Sequence, residues 1–210
     1  MGPNAVLLRE GERSGHVLFL ETGEVKVTSS AASGKQALLA IRGPGDLLGE
    51  FSAIDGRPRS ATVTAVSEVT AIVVPGKAFR ELLIGDGATT FGLLRLVVGR
   101  LREADVQRLD FGAYTVTERL ARLLLDYAGR YGRTAGDSVR ITLSLSQTEL
   151  ADATGASREM VAKALKRLRE AGAVRTGRRW VELLRPDILA ELAGNLPSVH
   201  SDADRDRDHR

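Results

Sequence analysis

The sequence predicts an α+β protein with an N-terminal antiparallel β-barrel, one long helix and a C-terminal winged helix-turn-helix. Two successive patterns along its 210 residues support the first part of this prediction. Through about residue 88, apolar and polar side chains alternate between glycine-containing turns, as in short antiparallel strands. From Thr89 onward the apolar residues recur at steps of three and four, which is the period of a helix.

The barrel is predicted over residues 1–88. Its clearest segment, VLFLETGEVKVT, is typical of a β-hairpin that turns around Thr22 and Gly23. The apolar residues of that hairpin alternate with polar ones, so we expect them to share one inward face as core residues: Val17, Phe19, Val25 and Val27.

A single helix is predicted over residues 89–113, because Leu94, Val97, Val98 and Leu101 repeat at helical spacing. The apolar stripe that they form has two interpretations. It packs on the chain's own barrel, or part of it pairs with the same helix of a second subunit in a two-stranded coiled coil. We expect the second arrangement, a homodimer.

Residues 114–190 are predicted to form a winged helix-turn-helix domain. Its first helix begins in TVTERLARLLLDYAG, with Thr115 as the N-cap. Further on, SQTELADATGASREMVAKALKRLREAGAV contains two short helices that meet at Gly155, a residue suited to a left-handed turn, and Ser157 is placed to cap the second. The predicted inward-facing residues are Leu120, Leu123, Leu124, Tyr127, Leu150, Ala151, Val161, Leu165 and Leu168.

The second of these short helices carries a polar face suited to DNA. At 100° per residue, that face lies opposite the apolar one and consists of Arg158, Glu159, Ala162, Lys163 and Lys166. Arg158 and Glu159 occupy the N-terminal turn, which enters the major groove in this motif. Arginine can donate to guanine O6 and N7, and glutamate can accept from cytosine N4.

A two-stranded wing is predicted next, in AVRTGRRWVELL. Gly177 lies at its turn, and Arg178 and Arg179 at its tip suit phosphate contacts. The charge distribution agrees, because residues 115–189 hold 14 Lys and Arg against 9 Asp and Glu, whereas residues 1–114 hold 13 of each. Excess positive charge is expected of a domain that meets nucleic acid phosphates.

The composition argues against several other classes of protein. The chain has no Cys, which excludes a disulfide, a thiolate metal site and an iron–sulfur cluster. Of its three His only His16 lies in the predicted barrel, and no nucleophile has a base beside it, so we predict no metal site, no catalytic residue and no enzyme activity. With no apolar run of membrane-spanning length and no leader pattern, we expect a cytoplasmic protein with no membrane partner.

One loop concentrates chemistry suited to a ribose phosphate: GDLLGEFSAIDGRPRSAT, residues 45–62. Glu50 can accept hydrogen bonds from a vicinal hydroxyl, and Arg59 can donate two parallel bonds to phosphate oxygens. Ser60 adds a neutral donor, and Gly49 leaves room for close backbone approach. A carboxylate and a guanidinium at this spacing also occur as a plain surface ion pair, so the surrounding motifs decide between the two interpretations.

Three short motifs occur in order around this loop: GPGD at residues 43–46, GE at 49–50 and RSA at 59–61. In this order and spacing they resemble the phosphate-binding cassette of the cyclic-nucleotide-binding domain in regulators of the cyclic-AMP receptor and FNR (Crp-Fnr) family. The resemblance runs through nearly the whole chain, and it includes the Ser-Arg-Glu start of the predicted DNA-reading helix. The absence of Cys counts against an oxygen-sensing role of the FNR kind.

The resemblance implies a jelly-roll barrel and assigns roles within it. Glu50 would meet the ribose 2′-hydroxyl, Arg59 and Ser60 the cyclic phosphate, and Gly49 and Ala61 would complete the cassette. It also implies a cyclic nucleotide effector, cAMP or cGMP, with no required cofactor. The implied partners are a second copy of the chain, a palindromic operator in double-stranded DNA, and RNA polymerase.

Two departures from the family pattern bear on the ligand and on the barrel. The cyclic-AMP receptor places Thr and Ser side chains against adenine, whereas this sequence has Ala104 and Asp105 at those positions. Ala104 has no polar side-chain atom, and Asp105, when ionised, accepts hydrogen bonds but cannot donate one. The base preference is therefore left open. Family members also carry a helix and a strand before the segment that begins here near Val6, so either the start is late or the barrel is shortened.

Two alternatives to a nucleotide-controlled regulator follow from the same sequence. One is a DNA-binding regulator whose barrel is a scaffold that binds no nucleotide, which Ala104 and Asp105 permit. The other is a nucleotide-processing barrel enzyme with an accessory helical domain. The last segment, residues 191–210, alternates charges without apolar periodicity, and we predict a disordered tail there.

Overall fold

The computed structural model describes residues 1–34 and 36–194. These residues form two compact units, one made of residues 1–113 and 148–157 and the other of residues 114–147 and 158–194. The predicted fold class is confirmed, because a β domain, a long helix and a helix-turn-helix segment with a two-stranded wing follow one another. Of the predicted disordered tail, residues 195–210 lie outside the described residues.

Seven strands build the first unit, and they are β1 (Val6–Leu8), β2 (Val17–Thr22), β3 (Val25–Ser30), β4 (Gln36–Arg42), β5 (Leu47–Leu48), β6 (Thr62–Ala65) and β7 (Thr70–Val74). They pair in a four-stranded sheet of order β1-β6-β3-β4 and a three-stranded sheet of order β5-β2-β7. All of these pairings are antiparallel. Both sheets contribute side chains to one apolar core, formed by Leu8, Leu18, Leu20, Val25, Leu48, Val63, Ala65 and Val69.

The predicted hairpin at Gly23 is wrong, because β2 and β3 belong to different sheets. Gly23 has a φ of +79°, and a Cβ there would overlap the carbonyl oxygen of Glu68, so only glycine allows the sharp passage between the sheets. The prediction that Phe19 is a core residue is also wrong. Leu18 and Leu20 point inward, which leaves Phe19 40% exposed beside Leu47 and Ile72 of the neighbouring strands.

Three helices complete the first part of this unit, namely α1 (Glu50–Asp55), α2 (Gly76–Gly85) and α3 (Gly87–Ala113). α3 has two distinct faces. Toward the barrel, Glu103 accepts a hydrogen bond from Arg42 of β4 over 3.1 Å. On the other side Phe91, Leu94, Val98 and Leu101 are all exposed, at the spacing of a coiled-coil seam.

Among the described residues no single helix is long and apolar enough to cross a membrane. The pair α2 and α3 passes that test together on length and composition alone, with a bend of 110° between the two helices.

The second unit is a small α/β domain that packs around α4 (Val116–Tyr131). Thr115 caps α4 as predicted, with its hydroxyl accepting from the Glu118 amide while the Glu118 carboxylate accepts from the Thr115 amide. The remaining elements in this unit are β8 (Gly132–Ala135), β9 (Ser138–Ile141), β10 (Val174–Gly177) and β11 (Trp180–Leu183), which form a sheet of order β10-β11-β9-β8.

Three further helices follow α4, and they are α5 (Gln147–Thr154), α6 (Arg158–Glu170) and α7 (Pro186–Leu192). α4 packs against α6 and α7. The predicted turn after α5 is confirmed, since Gly155 has a φ of +62°. Of the nine predicted inward-facing residues Leu123 is half-buried and the other eight are buried. From Thr148 onward α5 belongs to the first unit, with the barrel.

Candidate functional site

The candidate ligand site forms within residues 45–62, which contain β5 and α1 rather than the single loop that the sequence predicted. The segment after α1 returns to the start of that helix and brings Arg59 to Gly49. Gly49 precedes α1 with a φ of +79°, and Glu50 is the first residue of the helix. Glu50 and Arg59 are only 4% and 3% exposed, so the structure buries both charged residues that the sequence singled out. Burying a charge is costly unless it is paired and hydrogen-bonded, and both residues meet that condition here.

Arg59 is held by three acceptors of its own chain. Its Nη1 donates to the carbonyl oxygen of Gly49 over 2.7 Å, its Nη2 to that of His16 over 2.6 Å, and its Nε to Oγ of Ser14 over 2.9 Å. A guanidinium has five N–H groups, and each Nη carries two. These three bonds therefore fix the plane of the guanidinium and leave one N–H on each Nη for another acceptor.

Gly49 is required by this arrangement for a reason beyond its backbone angle. A Cβ at position 49 would overlap Nη1 of Arg59. The absence of a side chain there lets the guanidinium reach the backbone at the start of α1.

Electrostatics around Arg59 follow from its burial. Burial lowers the pKa of Arg59 from its ordinary value, and the carboxylates of Glu50 and Glu12 oppose that effect. The pKa of His16 is lowered as well, first by burial and then by the positive charge of Arg59, so its neutral form is favoured. The site thus places the fixed cation of Arg59 near the buried carboxylate of Glu50.

Glu50 has a partner that sequence reasoning missed. Nη1 of Arg100 on α3 donates to Oε1 of Glu50 over 2.6 Å, and its Nη2 donates to the Leu47 carbonyl oxygen over 2.8 Å and lies 3.3 Å from Oδ1 of Asp46. The signal for it was an arginine on the same side of α3 as Leu93 and Val97, which are half-buried. Periodicity places Arg100 on the barrel side of α3 but does not show which carboxylate it meets.

The other residues predicted for this site lie near the surface. Ser60 is exposed and Ala61 is half-buried, directly after Arg59. Ala104 and Asp105 are both exposed on α3. At 100° per residue, Ala104 lies 40° from Arg100, whereas Asp105 lies 140° away and shares the face of Leu94 and Val98. The structure therefore brings Gly49, Glu50, Arg59, Ser60 and Ala61 together and places Asp105 on the opposite face of α3.

The candidate DNA-binding surface is the exposed face of α6. Arg158, Glu159, Lys163 and Lys166 are all exposed, and Ser157 directly precedes them. The opposite face is buried, through Val161, Ala164, Leu165 and Leu168. This division into one buried and one charged face agrees with the sequence prediction.

The wing has the predicted turn, but its two arginines differ. Arg178 and Arg179 join β10 to β11, and both are exposed. Arg179 adopts a φ of +61°, which is uncommon for a residue other than glycine. Its Nε donates to Oγ of Ser144 and its Nη2 to the Ser144 carbonyl oxygen. Arg179 is thus engaged within its own unit, which the sequence did not indicate.

Within residues 1–34 and 36–194, no group of three or more His, Asp or Glu side chains lies close enough together to hold a metal ion.

Comparison with known families finds one matching family in each half of the chain. Residues 1–86 match the cyclic nucleotide-binding domain, and residues 118–192 match the Crp-like helix-turn-helix domain. The chain is 34% identical to a CRP-like cAMP-activated global transcriptional regulator of Mycobacterium tuberculosis, over 88% of this chain and 82% of that protein. It is 31% identical to the cyclic AMP receptor protein of Thermus thermophilus, over 87% and 82% of the two chains.

Solved structures give the same result for the fold. A CRP-family transcriptional regulator from Thermus thermophilus superimposes with a TM-score of 0.80 at 26% identity, over 92% of this chain and 95% of that one. FixK2 from Bradyrhizobium japonicum superimposes with a TM-score of 0.79 at 23% identity, over 93% and 96% of the two chains, a likeness of fold.

Proposed function

Because this chain belongs to the Crp family of DNA-binding transcription regulators and carries a cyclic nucleotide-binding domain, we propose that it acts as a homodimer controlled by a cyclic nucleotide. The observation that carries the ligand part of this proposal is the buried meeting of Arg59 and Glu50 at Gly49. Arg59 supplies a fixed cation, and Glu50 supplies an acceptor of hydroxyl protons. A phosphate next to a ribose has the complementary chemistry.

The phosphate is the first contact of the proposed ligand. The two remaining Nη hydrogens of Arg59 donate to its oxygens in the fork geometry that arginine offers. The exposed Ser60 hydroxyl donates as well, and Gly49 and Ala61 let the backbone approach. Three intramolecular bonds already hold the guanidinium, so little side-chain entropy is lost when the ligand binds.

The ribose 2′-hydroxyl is the second contact, and it involves Glu50. In the structure Arg100 occupies one oxygen of the Glu50 carboxylate. A carboxylate has about four acceptor positions, so Glu50 can accept from the hydroxyl while it keeps Arg100. Arg100 then neutralises a carboxylate that would otherwise be a second negative charge near the phosphate.

The contact with the nucleotide base is the third contact, and it determines whether cyclic AMP or cyclic GMP is preferred. Asp105 lies on the face of α3 that points away from the chain's own barrel, so in a dimer it would serve the site of the partner subunit. An ionised carboxylate accepts both N1–H and N2–H of guanine, whereas the same edge of adenine offers one donor and one acceptor. The relatives are named for cyclic AMP, and Asp105 is the reason to test cyclic GMP beside it.

The dimer is proposed from the exposed apolar face of α3. Phe91, Leu94, Val98 and Leu101 recur at steps of three, four and three, which is the a and d pattern of a two-stranded coiled coil. A second copy of α3 buries this seam by a two-fold operation that places the same residues opposite each other.

The DNA part of the proposal uses two copies of α6. In a dimer they enter successive major grooves, with half-sites about 34 Å apart, so the operator is a palindrome. Arg158 and Glu159 read base edges, and Lys163, Lys166 and Arg178 contact phosphates. RNA polymerase is the partner through which operator binding changes transcription in this proposal.

Calorimetric titration with cyclic AMP and cyclic GMP tests the ligand. We expect saturable binding that Arg59→Ala abolishes and that Arg57→Ala leaves unchanged. Arg57 is a matched control, because it lies two residues away with its side chain exposed to solvent and weakly paired with Asp55 over 3.9 Å. Absence of heat with both nucleotides, from a folded dimer, would favour a regulator whose barrel binds no nucleotide.

Analytical ultracentrifugation tests the dimer. Leu94→Glu places a charge in the seam and is expected to give a monomer. Leu39→Glu is the matched control, because Leu39 is a similarly exposed leucine on β4 and its replacement should leave the dimer intact. A dimer that survives Leu94→Glu would remove α3 from the interface.

A further inference from the structure

The wing turn between β10 and β11 has a backbone that needs support from other residues. Gly177 and Trp180 are its last paired residues, so Arg178 and Arg179 alone form the turn. The two turn types that match the twist of a two-residue hairpin both have a positive φ at the first turn residue. Here only Arg179, the second, has a positive φ, of +61°, which is unfavourable for a residue other than glycine. Contacts from outside the turn are therefore needed to hold this shape.

Trp180 supplies one of these contacts by lying across Gly177. A Cβ built on Gly177 would lie 2.2 Å from Nε1 of the indole and 2.3 Å from its Cε2, so the indole occupies the space of the missing side chain. The φ of Gly177 is not positive. The glycine is therefore needed at this position for space and not for conformational freedom.

Arg140 lies over the same indole from the neighbouring strand. Its Cζ is 4.7 Å from the centroid of the Trp180 ring, which is the geometry of a cation–π contact. Arg140 on β9 is directly opposite Glu182 on β11, two residues after Trp180, so the three side chains share one face of the sheet. The buried Glu182 carboxylate attracts the Arg140 cation. The indole is thus held between Gly177 and Arg140.

Two further contacts fix the wing turn relative to its surroundings. Nε and Nη2 of Arg179 donate to Oγ and to the carbonyl oxygen of Ser144, over 3.0 and 2.9 Å. Nη1 of Arg169 on α6 donates to Oγ1 of Thr176 on β10 over 3.0 Å, so the wing is bound to the DNA-reading helix within the second unit. Arg178 is exposed at the tip, and the described part of the chain offers it no hydrogen bond or ion pair.

We propose that Trp180 is a positioning residue for DNA binding. Its indole, between Gly177 and Arg140, holds the wing turn rigid and so keeps Arg178 at a fixed place relative to α6. A turn that is ordered before binding loses little conformational entropy when Arg178 meets a phosphate, and the affinity for DNA rises accordingly. Trp180 itself makes no contact with DNA in this proposal, which rests on the proposed DNA-binding function.

Gly177→Ala tests the positioning without changing any charge. The added methyl group needs the space of the indole and displaces the ring. We expect the affinity for an operator duplex to fall about three- to tenfold, the range for one side chain that must be ordered on binding. The slope of affinity against salt should decrease by up to about 1, the value for one lost phosphate contact. Unchanged affinity and salt slope would overturn the proposal.

Gly129→Ala is the matched control. Gly129 lies on α4 of the same unit, and a Cβ added there meets nothing within 4 Å. This variant should bind the duplex with the affinity and the salt slope of the wild type. An equal loss of affinity in Gly129→Ala would mean that the effect at position 177 is not specific to the indole, and would also overturn the proposal.

A double variant distinguishes positioning from a general loss of structure. If Trp180 acts through Arg178, Gly177→Ala should cost no further affinity once Arg178→Ala has removed the side chain that is positioned. Additive losses in Gly177→Ala/Arg178→Ala would show that the indole acts by another route. Trp180→Leu, which removes the indole and adds no bulk, replaces Gly177→Ala in both measurements if circular dichroism shows that the latter does not fold.

Fluorescence reports directly on the residue that is proposed to act. Trp180 is the only tryptophan of the chain, so the emission comes from this indole alone. We expect acrylamide to quench it more strongly in Gly177→Ala than in the wild type. A loss of DNA affinity with unchanged quenching would show that Trp180 is not the cause.

Failure of this inference can be told apart from failure of the proposed function. Gly177→Ala should weaken binding to all duplexes equally and keep the base preference, because α6 is unchanged. If the wild type prefers no duplex sequence, the proposed reading of DNA by α6 is wrong. If the wild type has a preference and Gly177→Ala binds exactly as tightly, only the positioning role of Trp180 is wrong.

Discussion

The nucleotide cassette and the DNA-reading face of α6 use the same residue types in opposite ways. In the cassette Glu50 and Arg59 are buried, and each is committed to partners from distant parts of the first unit. On α6 Arg158 and Glu159 are exposed in the first turn of one helix. In a rigid site, many hydrogen bonds offset the cost of burying a charge. A surface that binds phosphates and base edges keeps its charged groups hydrated until DNA displaces the water.

This difference determines how each region responds to mutation. A change in the cassette removes a bond from a network, so it disturbs stability and ligand binding together. A change on α6 removes a contact that forms only with DNA, so stability should stay the same while affinity or base preference changes. Four comparisons, each with its own control or matched variant, test this contrast.

Gly49→Ala is expected to have the largest effect. The left-handed backbone strain and the overlap with Nη1 of Arg59 together cost about 2–4 kcal/mol of unfolding free energy, and nucleotide binding is lost. Gly56→Ala is the control, because Gly56 also has a positive φ but nothing lies within 4 Å of the added Cβ. Urea denaturation and calorimetry measure both variants. Equal losses of stability would show that backbone strain alone explains the glycine at position 49.

Arg158→Ala is expected to relax the base preference, at a cost of about 1–3 kcal/mol at the contacted base pair, and to leave the unfolding free energy unchanged. Binding to a set of duplexes that vary at one position gives the measurement. Arg167→Ala serves as the control, since Arg167 is an exposed arginine of α6 about 180° from Arg158 around the helix. An unaltered preference in Arg158→Ala would remove this residue from base reading.

Arg100→Gln tests the partner that sequence reasoning missed. It leaves the buried Glu50 carboxylate without its 2.6 Å ion pair, so we expect a loss of about 2 kcal/mol in unfolding free energy. The double variant Glu50→Gln/Arg100→Gln removes both charges and should lose less than the two single variants combined. Strict additivity in urea denaturation would mean that the two side chains do not interact in solution.

The smallest changes in DNA affinity are expected at the two wing arginines, and the variants Arg178→Ala and Arg179→Ala allow them to be compared. Arg178→Ala should weaken binding to all sequences and reduce the slope of affinity against salt by about 1, as the loss of one phosphate contact does. Arg179 is bound to Ser144, so Arg179→Ala should change the salt slope less and lower the stability of the second unit. Identical salt slopes for the two variants would show that Arg179 leaves Ser144 on DNA.

The sequence predicted the local features correctly where one helix or one turn contained all the information. The Thr115 cap, the left-handed turn at Gly155 and the buried face of α6 each depend on residues within a few positions of one another. The prediction failed at Phe19, because alternation places Val17 and Phe19 on one face of β2 without showing that Ala53 and Phe79 cover Val17 while Phe19 stays exposed. It failed at Gly23 because the choice between a hairpin and a passage to another sheet depends on distant strands.

By itself the sequence determined the order of the parts, the period of each helix and the residue types that meet a phosphate or a base edge. These follow from backbone geometry and side-chain chemistry, which act over a few residues. Only the tertiary structure decided which charges pair: Glu50 with Arg100, Arg59 with the Gly49 and His16 carbonyl oxygens, and Lys26 with Glu149. These partners lie 10 to 123 positions apart in the chain, and their pairing depends on how strands and helices pack.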